Sequence, residues 1–174
     1  MTRDTHERWS IEVDKEYLKF SAAHFLIFPD GSAERLHGHN YRVYVEVDAR
    51  LDEHGLVIDF KQVKPVVREL CDELDEHWLV PGEHRELEVR DAPEREGLAP
   101  HVEVIYRERR YTAPRSDVIV LPINNTSAEN LSTFIGRELA RRLRARFPDV
   151  HIRTLLVKVE ETSGQRGVSR ASED

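Results

Sequence analysis

Cysteine occurs once in this chain, at Cys71, which rules out an intrachain disulfide. Neither a signal-peptide pattern nor an apolar run of membrane length is present, so the expected compartment is the cytoplasm and no membrane partner is expected. A basic excess is missing too. The 26 Lys and Arg set against 33 Asp and Glu leave a formal net charge of -7, which offers no cationic footprint for nucleic acid. Repeats, low-complexity tracts and a second compositional block are absent, and 174 residues with 39% hydrophobic content can bury one sizeable core. The chain is read as a single domain over residues 1–174.

Residues 1–9 are polar and charged, a loose leader. Between Ile11 and Ala22 the alternation changes phase, with Ile11 and Val13 on one side and Leu18, Phe20 and Ala22 on the other, which predicts a strand that bulges midway. Arg42 to Leu51 is the strongest strand, followed by a turn at Asp52-Glu53-His54-Gly55. Asp59 is placed to cap a helix running to about Leu74, with Val63, Val67, Leu70 and Leu74 as its apolar stripe and Pro65 where a kink is expected. Cys71 lies near that stripe and reads as a small packed residue. Residues 82–117 form a charged insertion containing a β-hairpin, Val102 to Tyr106 and Arg110 to Ala113; Val118 to Leu121 is a further short strand. Thr126-Ser127-Ala128-Glu129 has capping-box spacing and opens a second helix with Leu131, Phe134, Ile135, Leu139 and Leu143 on its apolar face. Ile152 to Glu160 is the last strand, and 163–174 a polar tail. This order predicts an α+β fold with two helices on one face of a mostly antiparallel sheet. The other face would be left as a large apolar patch, so a homo-oligomer is expected to cover it.

Three histidines fall within sixteen positions. His37 and His39 flank Gly38 at the head of the strongest strand, where residues two apart share a face. His24 ends the preceding strand, and the Pro29-Asp30-Gly31 turn signal can fold it back beside the pair. The pair shares parity with Tyr41, Val43, Val45 and Val47, so hydrogen-bonded core histidines are the alternative. Unpaired buried polar groups cost ~1–3 kcal/mol each, which favours a metal on three imidazoles with one open position, the arrangement of a catalytic zinc site.

Phe20 to His24, Leu36 to Tyr41, Val57 to Phe60, Leu74-Asp75, Thr126 to Leu131 and Val157 to Thr162 together resemble the 6-pyruvoyl-tetrahydropterin synthase and 6-carboxytetrahydropterin synthase family. The resemblance implies the tunnelling fold, with two helices on a four-stranded antiparallel sheet and a homohexamer built as a dimer of trimers. It also implies action on 7,8-dihydroneopterin triphosphate, Zn2+ on His24, His37 and His39, and substrate contacts at Glu161, Thr126 and Ser127. For Glu161 there is an independent argument: consecutive Glu160 and Glu161 on a strand point to opposite faces, so one can enter a pocket and accept two N–H bonds from a pterin edge.

The chain departs from the family pattern at three places. Ala33 stands where pyruvoyl- and carboxy-type members carry a catalytic cysteine. Glu34, three residues before His37, resembles the Glu-x-x-His-Gly-His variant that cleaves the side chain to 6-hydroxymethyl-7,8-dihydropterin. In Leu74-Asp75-Glu76-His77, Glu76 occupies the place of the usual histidine and His77 is displaced by one. Glu34 is therefore the candidate general base, with Asp75 and Glu76 or His77 as a second proton-handling group. Two alternatives stay open: a carboxy- or pyruvoyl-type synthase with a replaced thiol, and a catalytically inactive pterin-binding protein.

Overall fold

The computed structural model describes residues 8–93 and 96–172; the expected leader falls almost wholly outside them. Strand β1 (Trp9–His24) pairs antiparallel with β2 (His37–Ala49), β2 with β8 (Ile152–Thr162), and β8 with β9 (Gln165–Ser172). Helix α1 (Phe60–Leu74) begins at Asp59, whose carboxylate accepts from Lys61 N–H, and α2 (Ala128–Arg146) begins at Ser127, whose hydroxyl accepts from Asn130 N–H. The capping-box spacing that starts at Thr126 is thus not the cap used. Pro65 lies inside α1, where its ring is exposed to solvent.

The bulge in β1 has a definite register. Asp14 pairs with Tyr44 and Lys19 with Arg42, so residues 15–18 stand opposite Val43 alone. Three surplus residues, an odd number, reverse the side-chain phase. Val13 before the bulge and Leu18, Phe20, Ala22 and His24 after it consequently face the same side and are all buried. That side is the one the helices cover, through Val63, Val67, Leu70 and Leu74 from α1 and Leu131, Ile135, Leu139 and Leu143 from α2.

The expected four-stranded antiparallel sheet is corrected to a six-stranded mixed one, in which β7 (Val118–Leu121) and β3 (His77–Pro81) precede β1, β2, β8 and β9 in the order β7-β3-β1-β2-β8-β9. Strand β3 runs parallel to β1, and β7 runs parallel to β3. The run Trp78-Leu79-Val80 is apolar on both sides because it is buried on both: Leu79 joins the helix-side core, while Trp78 and Val80 enter a second core on the opposite face. That second core is roofed by a three-stranded sheet of β4 (Leu87–Asp91), β5 (His101–Tyr106) and β6 (Arg109–Pro114), whose Val102, Val104 and Tyr106 point into it. The predicted hairpin is the β5–β6 part of this sheet.

Two further expectations change. Residues 165–172 of the expected polar tail form edge strand β9. The face away from the helices, across β1, β2, β8 and β9, is largely polar. It carries the ion pairs Arg42–Asp14, Lys158–Glu12 and Arg166–Glu160, with Tyr44 between Arg42 and Arg166. The argument for an oligomer from an apolar face therefore fails. Among the described residues no helix is long and apolar enough to cross a membrane.

Strand β9 also packs tightly on the start of α2. A β-carbon on Gly167 would lie 2.1 Å from the Ala128 carbonyl carbon, which is backbone and cannot rotate away. Gly167→Ala is expected to destabilise the protein by ~1–3 kcal/mol through overpacking, read from the denaturant midpoint; an unchanged midpoint would show the contact is not tight.

Candidate active site

The end of the β1–β2 ladder beyond the helix-side core holds the three histidines. His24 is directly paired with His37, and Ala22 with His39, so the His39 ring sits diagonally from His24 on the same face. One ring nitrogen from each lies within 4.8 Å of the others, a group able to hold a metal ion. The Tyr41 ring packs beneath His24 and His39, stacked in turn on Phe20.

Tautomers follow from the acceptors. His24 Nδ1 lies 3.1 Å from the Thr126 carbonyl and His37 Nδ1 2.7 Å from the Arg35 carbonyl. A carbonyl can only accept, so both Nδ1 atoms carry a proton, which in a neutral imidazole leaves Nε2 with the lone pair, the arrangement a metal-binding imidazole needs. His24 is fully buried, and its Nε2 has no hydrogen-bond partner among the described residues. Burial, reinforced by the neighbouring His37 ring, pushes the His24 imidazole down to about 4, so it is neutral near pH 7. Its 3.4 Å approach to Glu161 Oε1 is therefore not an ion pair. His37 Nε2 and His39 Nε2 are 3.0 Å apart, and His39 Nε2 is 3.8 Å from the same Glu161 oxygen. Three ring nitrogens and a carboxylate oxygen converge here, a donor set that fits a cation.

Glu161 reaches this point because the two glutamates diverge as alternation requires. Glu160 turns to the polar face and pairs with Arg166, whereas Glu161 turns to the histidines and accepts a hydrogen bond from Tyr41 Oη at 3.2 Å. Burial and the Glu161 charge both raise the Tyr41 phenol above its ordinary value, keeping it protonated as that donor. Glu34 approaches from the loop between β1 and β2. Its Oε2 accepts Leu26 N–H at 3.1 Å and lies 3.9 Å from His37 Nε2.

The remaining candidates are placed differently. Thr126 is buried, its hydroxyl donating to the Phe25 carbonyl and its own carbonyl orienting His24; Ser127 is the α2 cap. Asp75 Oδ1 accepts Ser21 N–H at the edge of β1. Glu76 adopts a left-handed φ of 59° immediately before His77, and Glu76 N–H donates to the Ser21 carbonyl. Glu76 and His77 line a cleft of ≈ 430 Å³ together with His39, Asn40 and Asp117. Sequence reading missed the roles of Tyr41 and of the Thr126 and Arg35 carbonyls. Tyr41 carried a usable signal, two residues past His39 on the same face, while backbone acceptors carry none.

The 6-pyruvoyl tetrahydropterin synthase family model matches residues 12–171. The chain belongs to this family. A candidate 6-carboxy-5,6,7,8-tetrahydropterin synthase of Methanocaldococcus jannaschii is 36% identical over 130 residues, 73% of this chain and 74% of that protein. The 6-carboxy-5,6,7,8-tetrahydropterin synthase of Haemophilus influenzae is 32% identical over 81 residues, 44% of this chain and 57% of that one. Among solved structures, the 6-pyruvoyl tetrahydropterin synthase of Plasmodium falciparum superposes with a TM-score of 0.85 at 27% identity, covering 95% of this chain and 99% of that one. A catalytic-residue variant of the Plasmodium vivax 6-pyruvoyltetrahydropterin synthase, a glutamate replaced by alanine, gives 0.85 at 25% identity, covering 96% and 99%. Family membership makes this chain one of the lyase-type tetrahydropterin synthases.

If the imidazoles hold a metal, His37→Ala leaves two ligands and should strip most of it while the fold persists, since the His37 ring is half-exposed. Elemental analysis of the purified variant reads this, and unchanged metal content would refute the ligand set.

Proposed function

We propose that the protein is a zinc-dependent carbon–carbon lyase that cleaves the side chain of 7,8-dihydroneopterin triphosphate to give 6-hydroxymethyl-7,8-dihydropterin. The observation that carries this reading is the position of Glu34: its carboxylate stands 3.9 Å from the His37 nitrogen, on the loop where Ala33 replaces the family's thiol. In the Plasmodium vivax relative the residue named as catalytic is likewise a glutamate. Zn2+ held by His24, His37 and His39 would supply a Lewis acid with an open position beside that carboxylate.

The chain's own groups divide the rest of the work. Glu161, fixed by Tyr41, accepts the paired N–H donors of the pterin edge. Glu34 removes the proton from the hydroxyl on the outer carbon of the bond to be cleaved. That carbon leaves as an aldehyde carrying the triphosphate, the electron pair of the broken carbon–carbon bond is drawn through the inner carbon into the conjugated pterin ring, and a returned proton completes the hydroxymethyl carbon. Glu76 or His77, in the cleft that includes His39, is the second proton-handling group, with Asp75 holding that turn against β1. A symmetric homohexamer remains part of the proposal on family resemblance alone.

The names of the relatives favour a second reading, a 6-carboxytetrahydropterin synthase. It needs another nucleophile, and Cys71 does not supply one: it is buried in the helix-side core, and burial pushes its thiol up to about 12. Native protein at pH 8 should therefore resist iodoacetamide, with the thiol reacting only after denaturation; rapid native labelling would reopen the thiol route. Glu34→Gln should lower turnover by roughly 10²–10⁴-fold while retaining metal and pterin binding. Mass spectrometry of the products from dihydroneopterin triphosphate decides among the readings: hydroxymethyl-dihydropterin supports the lyase, carboxytetrahydropterin supports the synthase, and unreacted substrate supports an inactive binding protein.

A further inference from the structure

The loop that carries Glu34 is gripped from two sides. On the α2 side, Asn125 forms a backbone-like pair with Ile27, its Nδ2 donating to the Ile27 carbonyl at 2.8 Å and its Oδ1 accepting Ile27 N–H at 3.2 Å, while Thr126 Oγ1 donates to the Phe25 carbonyl. On the other side stands the inserted β5–β6 hairpin. Tyr106 Oη donates to the Gly31 carbonyl at 2.8 Å. The Arg107 guanidinium lies against Gly31, where a β-carbon would fall 2.0 Å away. Arg109 then spans two successive carbonyls, Nη2 donating to Ala33 at 2.8 Å and Nη1 to Glu34.

Within the loop, Glu34 holds Leu26 twice: its N–H donates to the Leu26 carbonyl at 3.0 Å, and its carboxylate accepts Leu26 N–H at 3.1 Å. The direction of the Glu34 side chain toward His37 thus depends on where its own backbone is held. A planar guanidinium suits this task better than an ammonium, because its parallel donors reach adjacent carbonyls in one fixed geometry. Arg109 is half-buried and β6 is anchored in the second core through Tyr111 and Ala113, so the fork is mounted on a rigid strand.

We infer that the inserted three-stranded sheet positions the base, with Arg109 as the positioning residue that fixes the Ala33-Glu34 backbone and so aims the Glu34 carboxylate at the histidine cluster. This rests on the reading of Glu34 as the base. Arg109 touches neither the histidines nor, by this reading, the substrate.

The test compares Arg109→Ala, Arg109→Lys and the exposed neighbour Arg110→Ala in the full-length protein. Amide hydrogen exchange at Leu26 and Glu34 should quicken about tenfold or more in Arg109→Ala, less in Arg109→Lys, and not at all in Arg110→Ala, with the β1–β2 ladder unchanged in all three. With dihydroneopterin triphosphate, kcat should fall roughly 10–100-fold in Arg109→Ala with KM and metal content near wild type, the cost of a misplaced catalytic group. In a Glu34→Gln background that extra loss should vanish, because there is no base left to misplace. Unchanged exchange in both Arg109 variants overturns the clamp, and Arg109→Lys reports even if the alanine variant does not fold. Faster exchange with unaltered kcat, or an equal loss in the Glu34→Gln background, overturns the positioning role. Full turnover in Glu34→Gln alone overturns instead the reading of Glu34, a result obtained on a separate protein.

Discussion

The site depends on side-chain phase along β1. A strand offers only two faces, and a slip of one residue exchanges them. Without the odd surplus at residues 15–18, either Ile11 and Val13 would leave the helix-covered core or Leu18, Phe20, Ala22 and His24 would turn onto the polar face. With it, one strand both seals the core and delivers its last residue beside His37 and His39. The same phase rule sends Glu160 and Glu161 to opposite faces at the end of β8 beside the histidines, where one makes an ion pair with Arg166 and the other joins the histidine cluster.

What makes the cluster chemically competent is the removal of alternatives. Backbone carbonyls accept hydrogen bonds from Nδ1 of His24 and His37, burial keeps His24 neutral, and Tyr41 is held protonated against Glu161. Each of these bonds ties the site to a different element: Thr126 to the start of α2, Arg35 to the β1–β2 loop, Tyr41 to the stacked pair with Phe20 in the core. Glu34 is the member mounted on a loop instead of a strand, and it is the member with the most external fastening, from Asn125 and Thr126 on one side and the inserted sheet on the other. If Glu34 is the base proposed above, its loop needs this, since acid–base transfer tolerates little error in distance.

The elements that escaped sequence reading share a physical cause. Strand β3 begins at the last residue of the ionisable segment Asp75-Glu76-His77 at the end of α1, and Trp78-Leu79-Val80 alone is too short an apolar run to separate a buried parallel strand from a helix end. Strand β9 is polar because one of its faces belongs to a polar surface and its edge is exposed, so the composition of Arg166, Ser169 and Arg170 imitates a tail. The apolar second face was expected because the helix-side alternation was read without its complement. Of the intervening residues, Arg42, Glu46, Asp48, Lys158 and Glu160 are polar, with Tyr44 and Leu156 the exceptions.

By itself the sequence determined what is periodic or adjacent. The α+β class, both helices and the Asp59 cap, the phase change in β1, the histidine pair across Gly38 and the divergence of Glu160 from Glu161 are all set by spacing along one or two segments, where local backbone geometry dictates direction. Tertiary structure alone decided the six-stranded mixed sheet, the second core under β4–β6, the carbonyls that select the histidine tautomers, and the grip of Arg109 on the Glu34 loop. These join residues tens to more than a hundred positions apart, as His24 and Thr126 are, often through backbone groups that every residue carries alike. No residue type announces such a partner, because the contact exists only once the chain has closed around it.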